Sequence, residues 1–305
     1  MSGKFLIVTA DDFGLAEAVN EAVSRAALGG ILTAASLMVA APATAAAVRL
    51  AASLPKLRVG LHLVLVDGNP VLPRHLVPAL VDSSGRFLDS MVSSSIRFVT
   101  SRKVRAQLAA EIRAQFEAFE RTGLELDHVN AHKHFHLHPL ILELVLRIGS
   151  EFGASAVRIP QEPLWYSRLE GGAVGAALLL PWLAIMRRRL RAGGMTVNDQ
   201  VFGIARSGRL DTQALSTILA NLPAGVTEIY LHPATLTPGP ITESMRSYRH
   251  SDELEALMNP AVRAAVPASR RGPPVPGCPR ADPGRRSLAK DGTTVTSCDS
   301  RRARR

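Results

Sequence analysis

The chain has 305 residues, 47% hydrophobic and 20% charged, an ordinary globular composition that can bury one large α/β domain or a pair of smaller ones. A net charge of +10 would point to nucleic acid, but from Arg270 onward ten Lys/Arg face three Asp, a net of +7, which leaves about +3 for everything before. Both cysteines, Cys278 and Cys298, lie in that tail, so the body of the chain has no disulfide framework and no Cys-type zinc site.

In chain order, Met1 to Lys4 runs directly into Phe5-Leu6-Ile7-Val8-Thr9-Ala10, a first core strand rather than a signal peptide, and the expected compartment is the cytoplasm. Leu15 to Leu28 has helical spacing, with Ala18, Val19, Ala22 and Val23 on one side. Ile31 to Val39 reads as a strand, a helix capped by Thr44 runs to Leu54, and a short strand spans Leu57 to Leu65. Val104 to Thr122 is the clearest helix, with Leu108, Ile112, Phe116 and Phe119 on one stripe and Gly123 at its end. A histidine-bearing strand, a helix from Pro139 to Phe152, a strand from Ala156 to Ile159 and a last strand from Glu228 to His232 complete the pattern. Repeated β-α units predict an α/β fold with mainly parallel strands, an open sheet or a barrel, and chemistry at the carboxyl ends of the strands.

Two segments depart from this alternation. Ala173 to Met186 is apolar, interrupted by Pro181, and is followed by Arg187-Arg188-Arg189-Leu190-Arg191. It is too short to span a bilayer. It reads equally as a buried helix with a solvated basic end, or as an interfacial helix whose arginines meet anionic lipid headgroups. Residues 267–305, rich in Pro, Gly, Ser and Arg with almost no apolar periodicity, read as a disordered or non-native tail outside a domain spanning 1–266. No aromatic interleaving or recognition motif supports nucleic-acid binding there.

The candidate chemistry lies in four places. Thr9-Ala10-Asp11-Asp12-Phe13-Gly14 sets two carboxylates at the end of the first strand. One can ligate a metal while the other takes a proton; helix capping accounts for only one of them. Asn130-Ala131-His132-Lys133-His134-Phe135-His136-Leu137-His138 places a histidine at every second position, which in a strand aims a row of imidazoles at one face. His62, inside an apolar strand, would ordinarily be a hydrogen-bonded core residue. Beside Asp12 and His132 it completes a three-ligand set with open positions, the pattern of hydrolytic metals. Two nitrogens and one oxygen suit zinc or another transition metal better than magnesium. His232, at the end of the last strand, is the candidate acid for a leaving group.

Together Thr9 to Gly14, Gly60-Leu61-His62, His132 to His136 with Pro139, and Glu228 to Pro233 resemble the YdjC-type carbohydrate (chitooligosaccharide) deacetylases, in order, over residues 4 to about 260. The resemblance implies a distorted, polysaccharide-deacetylase-like β/α barrel and removal of an N-acetyl group from a sugar with one divalent metal ion, zinc or magnesium. It implies Asp12, His62 and His132 as metal ligands and Asp11 as general base. His232 would be the acid or its orienter, and His134, His136, Arg158 and Glu162 would line the substrate cleft. Asn130 stands where such proteins often carry Asp, a departure that touches metal tuning rather than reaction class. The stretch from Val71 to Trp165 and the apolar-Arg segment look like the hopanoid-biosynthesis-associated branch. That branch implies an N-acetylglucosaminyl hopanoid reached at the inner membrane face through Ala173–Arg191. A homodimer is the oligomeric expectation. The competing readings are a deacetylase of soluble chitooligosaccharides, a metal-dependent hydrolase of another bond, and a non-catalytic lipid- or metal-binding protein.

Overall fold

A computed structural model describes residues 3–266; the expected tail, 267–305, lies outside the described residues. Six strands form one all-parallel sheet: β1 (Lys4–Phe13), β2 (Ala34–Leu37), β3 (Arg58–Leu63), β4 (Val129–Ala131), β5 (Gln200–Phe202) and β6 (Gly225–Leu231). Their order is β4-β3-β2-β1-β6-β5. The central strand β1 is buried from Val8 onward on both faces, which is why its sequence is a continuous apolar run rather than an alternation.

The helices are α1 (Glu17–Gly29), α2 (Thr44–Ser53), α3 (Met91–Thr100), α4 (Arg102–Glu120), α5 (Pro139–Glu151), α6 (Leu164–Leu169), α7 (Ala173–Ala192), α8 (Thr212–Ala220), α9 (His250–Met258) and α10 (Pro260–Ala265). The predicted stripe of α4 is the one that packs: Leu108, Ile112, Phe116 and Phe119 are all buried.

The sheet curls into a half-barrel, and residues 155–161 bridge its two edges. Val129 N–H donates to Ala156 O and Arg158 N–H to Val129 O, while Val157 N–H donates to Thr196 O. Farther along, the buried Asn198 side chain replaces the ladder, accepting from Ile159 N–H and donating to Ile159 O. Val201 N–H then donates to Gln161 O, leading into β5. The expected strand Ala156–Ile159 is therefore reduced to isolated bridges, because a side chain takes over its backbone pairing.

Two further expectations are corrected. Thr44 does not cap α2; it is the first helical residue, its hydroxyl tied into the turn 38–41, and Ala43 holds the cap position. The capping alternative for the aspartates drops out, since the cap of α1 is Ala16. Most consequentially, the histidine row is not a strand. β4 stops at Ala131, and Lys133 (φ 51°) and His134 (φ 54°) turn left-handed within a tight helical turn, His132–Leu137. Histidine visits that region more readily than most side chains, and no glycine announces the turn.

The buried-helix reading of 173–186 holds for one face only. In α7, Leu183, Met186 and Leu190 are buried, but Val174, Leu178, Leu179 and Ile185 are exposed, Val174 and Leu178 each 76%. No helix among the described residues is long and apolar enough to cross a membrane.

Candidate active site

The carboxyl ends of β1, β3, β4 and β6 converge on one rim, as parallel β/α folds arrange their sites. A bulge shapes its centre. The β1–β2 register shifts between Ala10 and Phe13, and Asp12 sits there with φ 62°. Bulges re-aim side chains. This one turns two adjacent aspartates, which on a regular strand would face opposite ways, into the same buried rim, each 2% exposed.

Asp12 is the metal-like half. Its Oδ1 lies 3.2 Å from His62 Nε2 and 3.2 Å from His132 Nδ1. One ligand atom from each of Asp12, His62 and His132 lies within 4.8 Å of the others. Asp12 Oδ2 and His62 Nε2 are buried without a hydrogen-bond partner. Such orphans are rare in folded proteins and ask for a missing partner. Two imidazole nitrogens and a carboxylate oxygen around them are a donor set that fits a divalent cation.

The electrostatics agree. Burial alone would raise Asp12, but His132 beside it holds the carboxyl well below its ordinary range. Burial works against a charge on His132, yet the Asp12 carboxylate overcomes it and raises the imidazole to about 9. A cation would take the place of that proton.

Asp11 is the tightly held half. Arg158 grips it with two hydrogen bonds, Nη1 to Oδ2 (2.5 Å) and Nη2 to Oδ1 (2.9 Å), and Asn130 Nδ2 adds a third to Oδ1 (3.0 Å). Burial would raise Asp11, but the Arg158 guanidinium, helped by His62, holds it far below the usual carboxylate range. Arg158 also donates to Glu228 (2.7 Å), and Glu228 accepts from the Thr9 hydroxyl. Arg158 is thus a buried clamp on Asp11 and Glu228, its guanidinium 4.7 Å from the Tyr230 ring centre.

The remaining predicted residues separate. His134 reaches Tyr230 OH (3.1 Å) and His136 reaches the Arg158 carbonyl (2.9 Å), each leaving a buried Nδ1 without a partner. Burial lowers both imidazoles, His136 to about 4. His138, assigned no role in the site, caps α5 by accepting from Leu140 N–H. His232 Nε2 lies 3.8 Å from Asp12 Oδ2 and its Nδ1 is unpartnered; burial lowers its pKa. Its backbone is clamped from α9, since Glu253 Oε2 accepts its N–H and His250 Nδ1 donates to its carbonyl. Glu162 is not drawn to the metal-like group. Its carboxylate accepts from the N–H groups of Gly203, Ile204 and Ala205 and from Ser167, and so holds the loop after β5.

Asp67 escaped sequence reasoning. It is left-handed (φ 51°), lies 3.9 Å from His132 Nε2 and receives Lys133 Nζ at 2.6 Å. The neighbouring His132 imidazole, with the Lys133 ammonium, holds its carboxyl well below the usual range. A carboxylate behind a ligating histidine is a common orienting device, but a lone Asp in an Asp-Gly loop carries no periodic signal.

A family model described as YdjC-like protein matches residues 5–268. A carbohydrate deacetylase of Brevibacillus brevis is 33% identical over 266 residues, covering 83% of this chain and 90% of the relative. One from Geobacillus stearothermophilus is 29% identical, covering 86% and 93%. A solved structure of an Enterococcus faecalis protein ascribed to cellobiose-phosphate cleavage shares the fold at a TM-score of 0.68 and 24% identity. The match covers 87% of this chain and 94% of that one.

Proposed function

The chain belongs to the YdjC-like protein family, and we propose that it is a metal-dependent hydrolase removing the N-acetyl group from an N-acetylglucosamine-type sugar. The observation carrying this reading is the meeting of Asp12, His62 and His132, with buried ligand atoms left unpartnered, beside an ionised Asp11. The carbohydrate deacetylases among its relatives support the substrate class. A divalent cation held by the three ligands, zinc in preference to magnesium on the donor set, supplies Lewis acidity toward a water and the acetyl carbonyl.

The chain's own groups divide the proton work. Asp11 is held ionised and acts as the base. Its Oδ1 already accepts two hydrogen bonds and its Oδ2 one, so the lone pair open to a proton is on Oδ2. His232, after taking up a proton from solvent, gives it to the departing amine as the amide C–N bond breaks and acetate leaves, and the proton taken by Asp11 returns to solvent. Burial lowers its proton affinity, so the imidazolium, once formed, is a strong donor. His134 and His136 border the same rim, and we assign them to the substrate cleft together with Arg158; Glu162 shapes that cleft through the 203–205 loop.

We further propose a glycolipid, an N-acetylglucosaminyl hopanoid, as the substrate, met at a membrane surface. The support is α7, whose exposed Val174, Leu178, Leu179 and Ile185 lie on a helix without a single carboxylate. Arg187 is spent on the carbonyls of Asn198 and Asp199, so Arg188 and Arg189 are the residues left for headgroups. Trp182 of α7 donates to the Leu137 carbonyl, tying the helix to the histidine turn.

Acetate release decides among the readings. It is measured from the glycolipid in vesicles and from soluble N-acetylated chitooligosaccharides, with and without a chelator. Faster, chelator-sensitive release from the glycolipid is expected. Preference for the soluble sugar would remove the lipid reading, and no acetate from either would remove the deacetylase reading.

A further inference from the structure

Beneath the rim, a row of five polar side chains has a direction. His62 Nδ1 lies 2.7 Å from Asn130 Oδ1. Asn130 Nδ2 donates to Asp11 Oδ1 (3.0 Å) and to Ser36 Oγ (2.8 Å). Ser36 Oγ lies 3.0 Å from His128 Nε2, and His128 Nδ1 lies 3.1 Å from Asp127 Oδ2. Ser36 and Asn130 are completely buried, whereas Asp127, at the far end, reaches solvent.

When His128 carries one proton, the carboxylates at either end fix the donors and acceptors in one way. A carboxylate only accepts. Asp127 therefore requires a proton on His128 Nδ1, which leaves Nε2 as an acceptor for the Ser36 hydroxyl proton. With its proton so committed, Ser36 Oγ accepts from Asn130 Nδ2. At the other end Asp11 also demands the amino side of Asn130. Both constraints put Asn130 Oδ1 toward His62, which must then carry its proton on Nδ1. His62 Nε2, which faces Asp12 Oδ1 at 3.2 Å without a hydrogen-bond partner, is the atom left for a cation, or for a second proton when no cation is bound.

We propose that Ser36 and His128 are positioning residues for the metal centre: with Asp127 they orient the Asn130 amide, which locks His62 into the tautomer that presents Nε2 as a ligand. The tautomer of a ligating histidine is set by the hydrogen bond of its other nitrogen; here that control extends two side chains further, across β2 and the start of β4. Gly60 belongs to the same device. A Cβ there would collide with the carbonyl and ring of His128, so glycine at 60 lets the imidazole lie across β3 and reach Ser36. The ligand role of His62 rests on the proposed metal site; the tautomer does not.

The test is made on the full chain, metal-free and with 15N-labelled histidine, in which two-bond 1H–15N correlations separate Nδ1–H from Nε2–H imidazoles. His62 is expected to keep a proton on Nδ1 throughout, with no population of the form protonated on Nε2 only. Ser36→Ala and His128→Leu should each introduce the Nε2–H form and weaken zinc binding, read by chelator competition, by about tenfold. His128→Gln, whose carboxamide can accept from Ser36 and donate to Asp127, should restore both readouts. Should Ser36→Ala fail to fold, the Leu/Gln pair at 128 carries the decision. An unchanged His62 tautomer and unchanged zinc affinity in folded His128→Leu would overturn the proposal. A parent protein that shows the Nδ1–H form yet binds no zinc would overturn the metal reading and leave the relay standing.

Discussion

The two halves of the rim, a few ångström apart, are built on opposite principles. Around Asp11 the carboxylate is held by three donors, Arg158 twice and Asn130 once. Around Asp12 the polar atoms are left over: Oδ2, His62 Nε2 and His232 Nδ1 are buried without partners. A buried charge is tolerated when paired, and an unpaired one is costly. The contrast separates a carboxylate gripped by three donors from one whose unpartnered neighbours could take a cation. Chain neighbours could be divided this way only because the bulge at Asp12 breaks the alternation of β1.

The contrast predicts different failures on the two sides. Asp12→Ala should abolish tight metal binding and lower kcat by at least about 10³-fold, since Lewis-acid stabilisation is worth several kcal/mol. Because Asp12 Oδ1 also pairs with His132, the metal-free fold should lose stability too, most below the ordinary histidine pKa, and thermal melting without metal checks this. Asp11→Asn should lower kcat by roughly 10²–10⁴-fold with metal content unchanged. Full activity with metal bound would remove Asp11 as the base.

Arg158→Met should act chiefly on stability. It strands Asp11 and Glu228 as buried carboxylates, a loss on the order of 3–5 kcal/mol, or roughly 10 °C in Tm for a domain of this size. Its melting curve should depend on pH in a way the parent's does not. With Arg158 present, Asp11's lowered pKa keeps its contribution above the unfolded carboxylate range and loses it only in strong acid.

The smallest effect is a pH slope on the Asp12 side. His132, raised to about 9 without metal, must lose a proton to ligate, so metal affinity should rise about tenfold per pH unit up to about 9. The same shift stabilises the metal-free fold fully below the ordinary histidine pKa and is lost as pH climbs through 9. Titration calorimetry at several pH values reads the first effect. A flat profile between the ordinary histidine pKa and 9 would mean that the cation displaces no such proton from His132.

The parts of the site legible in sequence were those whose identity alone is informative. Asp11-Asp12, His62, His132 and His232 stand at the ends of apolar runs, and parallel strands bring such ends together. What stayed hidden depended on backbone geometry or on partners far apart in the chain. The period-two spacing of the histidines argues for a strand, but left-handed Lys133 and His134 fold the run into a turn and send its members to four different tasks. Arg158 was expected at substrate; its bonds to Asp11 and Glu228, 147 and 70 residues away, are tertiary facts. Ser36, in the apolar strand β2, reads as an ordinary small core residue, and only its approach to His128 and Asn130 gives it a role. The apolar run at 173–186 suited a buried helix as well as an interfacial one, since hydrophobicity alone does not say which face finds a partner.

The central claim is that the unsatisfied half of the rim holds the metal, and a crystal grown with zinc and measured at its absorption edge tests it most directly. The account predicts one anomalous peak about 2.0–2.2 Å from Asp12, His62 and His132, with Asp11 still gripped by Arg158. A peak ligated by Asp11 in place of Asp12, or no peak at this rim under conditions where the protein hydrolyses its substrate, would contradict it.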